Sequence, residues 1–170
     1  MAVVPWQKAN VPGHIVAKKL KPDKLIEMLN ESEHTLLIVG KLEDFELEIA
    51  KSFIIKTKLK GGTVVFTPIA NKTFLETGIK PEMILGLTDV TAKLARGWRE
   101  VNGKAPFDLV VFFGGYYYQQ SQMLSAIKHY ATDLKKLSLN RYHQPNADYS
   151  FANIREERWV KEMQTVLEAI

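Results

Sequence analysis

At 170 residues, with 46% hydrophobic and 25% charged content, the chain has the make-up of one domain able to bury a single core. It contains no cysteine, which excludes disulfides, thiolate metal ligation, iron–sulfur clusters held by its own sulfur and cysteine nucleophiles. Its 23 basic and 19 acidic residues leave a net charge of +4, but the two signs are interleaved, which argues against a nucleic-acid surface.

Met1 to Asn10 lacks the charged-then-apolar order of a signal peptide, and no apolar run approaches the roughly 20 residues that span a bilayer. A soluble, cytoplasmic protein is expected, with no membrane contact. Residues 1–20 read as an extended N-terminal arm, turned at Val11-Pro12-Gly13. Lys18, Lys19 and Lys21 form the densest basic group, and Lys56, Lys58 and Lys60 the next. Such groups read first as a solvated face and second as a landing site for an acidic protein. Pro22 suits the first turn of a helix whose apolar stripe is Leu25, Met28 and Leu29.

Thr35 to Gly40 is an unbroken apolar run ending in glycine, the pattern of a buried parallel strand. Glu43 to Lys60 reads as a helix packed on the sheet through Ile49, Ala50, Phe53 and Ile54. Gly62 to Thr67 and Phe107 to Phe113 repeat the buried-strand pattern, and Lys136 to Leu139 gives a shorter strand. Leu87, Val90 and Leu94 mark one further helix, and Met123, Ala126, Ile127 and Tyr130 another. Trp159, Met163, Val166 and Ile170 mark the last, with Asn153 as expected N-cap and Glu156 completing a capping box. Strands alternating with helices predict an α/β, three-layer Rossmann-like domain over residues 1–170, its sheet mostly parallel.

In such sheets ligands sit beyond the carboxyl ends of the strands. Here those ends are Gly40-Lys41, Pro68 to Asn71, Gly114-Gly115 with Tyr116, and Asn140 to Asn146. Gly40, Gly114 and Gly115 would admit close approach of backbone to a nucleotide, although neither Gly-x-Gly-x-x-Gly nor a Walker motif is present. A lone glycine ending a strand is otherwise a tight turn. Tyr116-Tyr117-Tyr118 cannot all enter the core from one element, so at least one is expected to face a ligand or partner. The plain alternative is packing around a strand-to-helix corner. None of His14, His34, His129 and His143 stands at metal-ligand spacing to another, and His129 reads as a surface residue. Only His143 lies in a strand-end loop, as a weak acid–base candidate. Asp89 and Asp108 cap or flank elements, and Gly-x-Ser-x-Gly is missing, so no catalytic set is recognisable.

Two longer stretches are more specific. Gly114 to Tyr130 carries the tyrosine triplet followed by Gln119-Gln120, and Leu137 to Asn153 carries Arg141-Tyr142-His143 and Asn146-Ala147-Asp148. With Gln7-Lys8-Ala9-Asn10, Leu36 to Gly40, Leu87-Thr88-Asp89 and Asn102-Gly103-Lys104, they resemble the epsilon subunits of the archaeal acetyl-CoA decarbonylase/synthase complex. These are partners of carbon monoxide dehydrogenase in methanogens and related archaea. The resemblance covers nearly the whole chain and is weakest from Lys41 to Pro81.

It implies a fold similar to the central domain of thiamine-diphosphate enzymes. It also implies a nickel–iron–sulfur alpha subunit as partner in an alpha-two, epsilon-two assembly, which interconverts carbon monoxide and carbon dioxide during acetyl-CoA cleavage or synthesis. The implied role is non-catalytic, stabilising alpha, with no intrinsic cofactor; a homo-oligomer is the alternative state of the isolated chain. Passing electrons to flavin adenine dinucleotide (FAD) is the alternative role. Without cysteine it would require a bound flavin, for which the tentative cleft is Gly40, Gly114, Gly115, Tyr116, Asn140 and Arg141.

Overall fold

The unbroken apolar runs form the centre of a sheet covered on both faces. In the computed structural model, which describes residues 16–170, β2 (Thr35–Val39), β3 (Thr63–Phe66) and β5 (Leu109–Phe113) are buried at every position. Polar alternation is absent because each side chain, whichever way it points, meets a helix layer. β1 (Lys18–Lys19), β4 (Met83–Ile84), β6 (Lys135–Ser138) and β7 (Tyr149–Ser150) complete a seven-stranded sheet of order β1-β7-β6-β5-β2-β3-β4. Every pairing is parallel.

Successive strand residues feed opposite cores. On one face α1 (Pro22–Glu31), α2 (Leu47–Leu59), α3 (Pro68–Phe74) and α6 (Glu156–Ala169) bury Leu25, Phe53, Phe74 and Trp159 against Val39, Phe66 and Phe113. On the other, α4 (Leu87–Ala95) and α5 (Tyr117–Tyr130) bury Val90, Leu94, Leu124 and Ile127 against Ile38 and Phe112. Trp159 sits edge-on to Phe113 at 5.8 Å, and its indole N–H donates to the Leu139 carbonyl at 2.7 Å. A fully buried indole with its one donor satisfied is worth about 3 kcal/mol or more against truncation to alanine.

Several sequence expectations change. Pro68 to Asn71 is the first turn of α3 rather than an open strand-end loop: Thr67 caps it through Oγ1, and Pro68 occupies its first turn. Asn153 is not the N-cap of α6. That position belongs to Arg155, while Asn153, at φ 53°, turns its Oδ1 to accept the His143 backbone N–H at 3.0 Å. The capping box of this face lies earlier, where Glu43 and Glu46 bracket the 3-10 turn Asp44–Glu46 that leads into α2. Tyr130 is exposed, so the buried stripe of α5 runs through Gln120, Leu124 and Ile127. Of the expected arm over 1–20, residues 1–15 lie outside the described residues, and Lys18–Lys19 forms edge strand β1 beside β7.

Candidate functional site

β2 has β3 on one side and β5 on the other, so the order of the strands reverses between β2 and β5. Loops leaving such a switch point splay apart and open a crevice at the carboxyl ends of the strands. The glycines set how closely these loops meet. A Cβ on Gly40 would stand 2.6 Å from Gly115 Cα, and one on Gly114 would stand 2.5 Å from the Lys41 carbonyl oxygen. Gly114 has a φ of 69° and Gly115 of 94°, and the Gly115 N–H donates to the Lys41 carbonyl at 2.6 Å. Beside Gly40 and Gly114 the room expected for a nucleotide is taken by backbone.

Asn140 locks the same corner. Its Oδ1 accepts from the Gly114 N–H at 2.8 Å and its Nδ2 donates to the Gly114 carbonyl at 3.4 Å. Gln120 donates to that carbonyl at 3.2 Å and accepts from the Ser138 hydroxyl at 2.9 Å. The three tyrosines divide their work. Tyr117 turns inward, its hydroxyl donating to the His143 carbonyl at 2.9 Å. Tyr116 and Tyr118 stack on one another at 5.9 Å and remain 40% and 58% exposed.

Above this corner opens a cleft of about 210 Å³. It is lined by Lys41, Glu43 and Glu46 from the β2–α2 connection, Gly114 to Tyr117 from the β5–α5 corner, and Asn140, Arg141 and Tyr142 beyond β6. Five of the six residues named from the sequence meet there, while Gly40 packs on Gly115 without lining the cleft. The Lys41 ammonium lies 5.1 Å over the Tyr116 ring. The Arg141 guanidinium lies 4.2 Å over the Tyr142 ring and reaches Glu156 at 3.3 Å. Its Nε is buried with no partner among the described residues.

Glu46 is the unusual carboxylate of the site. It is only 5% exposed, and its Oε2 accepts the Glu43 backbone N–H at 2.8 Å. Burial pushes its pKa up to about 7; the Glu43 hydrogen bond opposes that, Glu43 and Glu156 add to it, and Arg141 pulls it down. Glu46 does not stand out in the sequence, because an acid in a first turn is ordinary. The signal available was Glu43 and Glu46 at capping-box spacing just ahead of an apolar run.

A family model described as CO dehydrogenase beta subunit/acetyl-CoA synthase epsilon subunit matches residues 1–167. The chain belongs to this family. It is 29% identical to the acetyl-CoA decarbonylase/synthase complex subunit epsilon of Methanothermobacter thermautotrophicus, over 95% of this chain and 93% of that one. The subunit epsilon of Methanothrix soehngenii is also 29% identical, over 89% and 81% of the two chains. Subunit epsilon 1 of Archaeoglobus fulgidus is 30% identical over 84% and 77%.

The described histidines of this epsilon-family chain stand apart from the cleft. His143 is buried and does not line the cleft; its Nδ1 lies 3.3 Å from the Phe151 carbonyl and its Nε2 has no partner among the described residues. Burial holds its pKa below the ordinary value, with the Phe151 bond opposing, so the imidazole is neutral near pH 7. His34 is buried between the Ala105 carbonyl and the Thr63 hydroxyl, and His129 is exposed as expected. His14 lies outside the described residues. Among the described residues no group of three or more metal-ligating side chains comes together, and no helix is long and apolar enough to cross a membrane.

Proposed function

We propose that this chain is a cytoplasmic, non-catalytic accessory subunit of the carbon monoxide dehydrogenase component of an acetyl-CoA decarbonylase/synthase complex. Acting as one domain over residues 1–170, it docks on a nickel–iron–sulfur alpha subunit in an alpha-two, epsilon-two assembly and stabilises it. The observation that carries this reading is the exposed Tyr116–Tyr118 stack, with the Arg141–Tyr142 pair beside the same cleft. Tyrosine and arginine dominate the energetics of protein interfaces, because each offers a large rigid surface with a polar tip. The lack of cysteine suits a subunit that leaves every cluster to its partner.

Co-expression with the alpha subunit tests it. The two chains are expected to co-purify, and alpha is expected to lose activity faster on heating when this chain is absent. Replacing Tyr116 and Tyr118 together with alanine should weaken the complex by about 2 kcal/mol, roughly 30-fold in Kd. An alpha subunit that neither retains this chain nor gains stability from it refutes the reading.

A flavin-binding, electron-passing role has less support. The cleft of about 210 Å³ is smaller than the roughly 300–1,000 Å³ of ordinary cofactor pockets, and the space beside Gly40 is filled by Gly115 and that beside Gly114 by the Lys41 carbonyl. Quenching of flavin fluorescence by the purified chain would revive it.

A further inference from the structure

The cleft at the switch point draws one wall from each of three strand ends, and each wall brings positive potential. Lys41, just beyond β2, is exposed, forms no ion pair among the described residues and rests only on the Tyr116 ring. The 14-residue helix α5 starts beyond β5 with Tyr116 as an N-cap that supplies no side-chain acceptor, so the positive end of its dipole is left to the cleft. Arg141, beyond β6, has one ion pair, to Glu156, and a flat face held on Tyr142. Glu43 and Glu46 oppose these charges from the β2–α2 connection.

We infer that this cleft is a binding site for a single small oxyanion group, a carboxylate or a phosphoryl group, between Lys41, Arg141 and the N-terminus of α5. The volume of about 210 Å³ accommodates such a group and is too small for a dinucleotide. Oxyanions suit the place chemically, since ammonium, guanidinium and helix N-terminus are the donors that recognise them.

The acid in the wall makes binding depend on protons. Counting Glu156, which pairs with Arg141, the charges around the cleft cancel when Glu46 is protonated, Lys41 and Arg141 against Glu43 and Glu156, and leave one net negative charge when Glu46 is ionised. An anion therefore binds the form in which Glu46 holds a proton, and its hydroxyl adds a donor. Around Glu46 stand Glu43 on its own turn, Lys41 at the end of β2, Arg141 beyond β6 and Glu156 at the start of α6. Of these, the Glu43 and Glu156 carboxylates favour the protonated state, while the Glu43 backbone N–H and Arg141 oppose it. Since the pKa of Glu46 is about 7, affinity should be about tenfold higher at pH 6 than at pH 8. The inference does not depend on the docking reading, because a chain that fails to bind alpha would still bind the anion.

Two-dimensional amide NMR of the full chain tests it, with sulfate and acetate added at constant ionic strength, since neither changes charge between pH 6 and pH 8. The expected result is a saturable shift centred on the Gly115, Tyr118 and Gln119 amides, with the tenfold pH dependence. Glu46→Gln should remove the dependence and hold the affinity at pH 8 near the wild-type value at pH 6. Lys41→Gln, at an exposed position where folding is not at risk, should weaken binding several-fold. Adenosine monophosphate separates the sources of the group. Tighter binding than sulfate at the same amides means that it arrives on a larger ligand, equal binding that it arrives free, and either result upholds the site. Shifts that fail to saturate by about 50 mM, or that scatter over the surface lysines, overturn the inference. So does equal affinity at both pH values.

Discussion

Glu46 ties its own protonation to the stability of the protein. In the unfolded chain its carboxyl ionises near the ordinary 4.5, whereas in the fold it holds its proton up to about 7. Between those values the folded state binds more protons than the unfolded state, so stability falls as pH rises. The contribution is fully present below about 4.5 and is lost once pH passes about 7. Above that the protein holds a buried charge, at a cost of about 3 kcal/mol. Glu46→Gln keeps an oxygen to accept the Glu43 N–H and removes the charge. Urea unfolding should therefore show the variant more stable by about 2–3 kcal/mol at pH 8 and nearly equal to wild type near pH 4.5. A difference that does not vary with pH would refute this account. The same residue shows why a site is harder to read than a core: burial, which only the fold creates, sets its chemistry first, and two of the charges acting on it, Arg141 and Glu156, are distant in sequence.

Between elements, Asp108 performs a comparable service at the opposite end of the sheet. It accepts from the Ser32 hydroxyl at 2.6 Å, the Glu33 N–H at 3.0 Å and the His34 N–H at 3.1 Å. The link between α1 and β2 is thereby fixed to the start of β5. Burial alone would raise the carboxyl, but these hydrogen bonds outweigh it and leave the pKa below the ordinary 3.8. The stability they confer is present above that value and is lost as pH falls through the depressed one. Asp108→Asn should cost about 1–2 kcal/mol at neutral pH by chemical denaturation, and less at pH 3. No change at neutral pH would mean that water replaces these bonds without loss. Legibility follows element length. β2, β3 and β5 are plain in the sequence because three to five buried apolar residues stand together, and the stripes of α1, α2, α4 and α6 are plain because their apolar residues recur at helical spacing. β1, β4 and β7 are two residues each, too short to show any period, and only tertiary pairing makes them strands. α3 carried a signal that went unread, Thr67 followed by Pro68. In the cleft, Gly114, Gly115, Tyr116, Asn140 and Arg141 were legible because strand ends can be located, while Glu46 and Tyr142 came into the lining through loop geometry.

Across the whole molecule, protection should fall from the centre of the sheet outward. β2 and β5 pair over five residues and carry both cores, whereas β1 and β4 are two-residue edges. Hydrogen exchange followed by mass spectrometry should find the slowest amides in β2 and β5, and edge amides orders of magnitude faster. Equal protection at β4 and β5 would show that another surface covers that edge.

The pairing of β1 with β7 also bears on how the protein is made. β1 precedes every other described strand and has its one strand neighbour in β7, the last of them. During synthesis Lys18–Lys19 therefore waits unpaired while the apolar segments of β2, β3 and β5 emerge, and pairings so distant in sequence close slowly. The third wall of the cleft, Asn140 to Tyr142, is likewise translated late, and α6 with Glu156 later still. A nascent chain thus has no finished cleft until β6 and the loop beyond it have been made, and Glu156, the ion-pair partner of Arg141, is added only with α6.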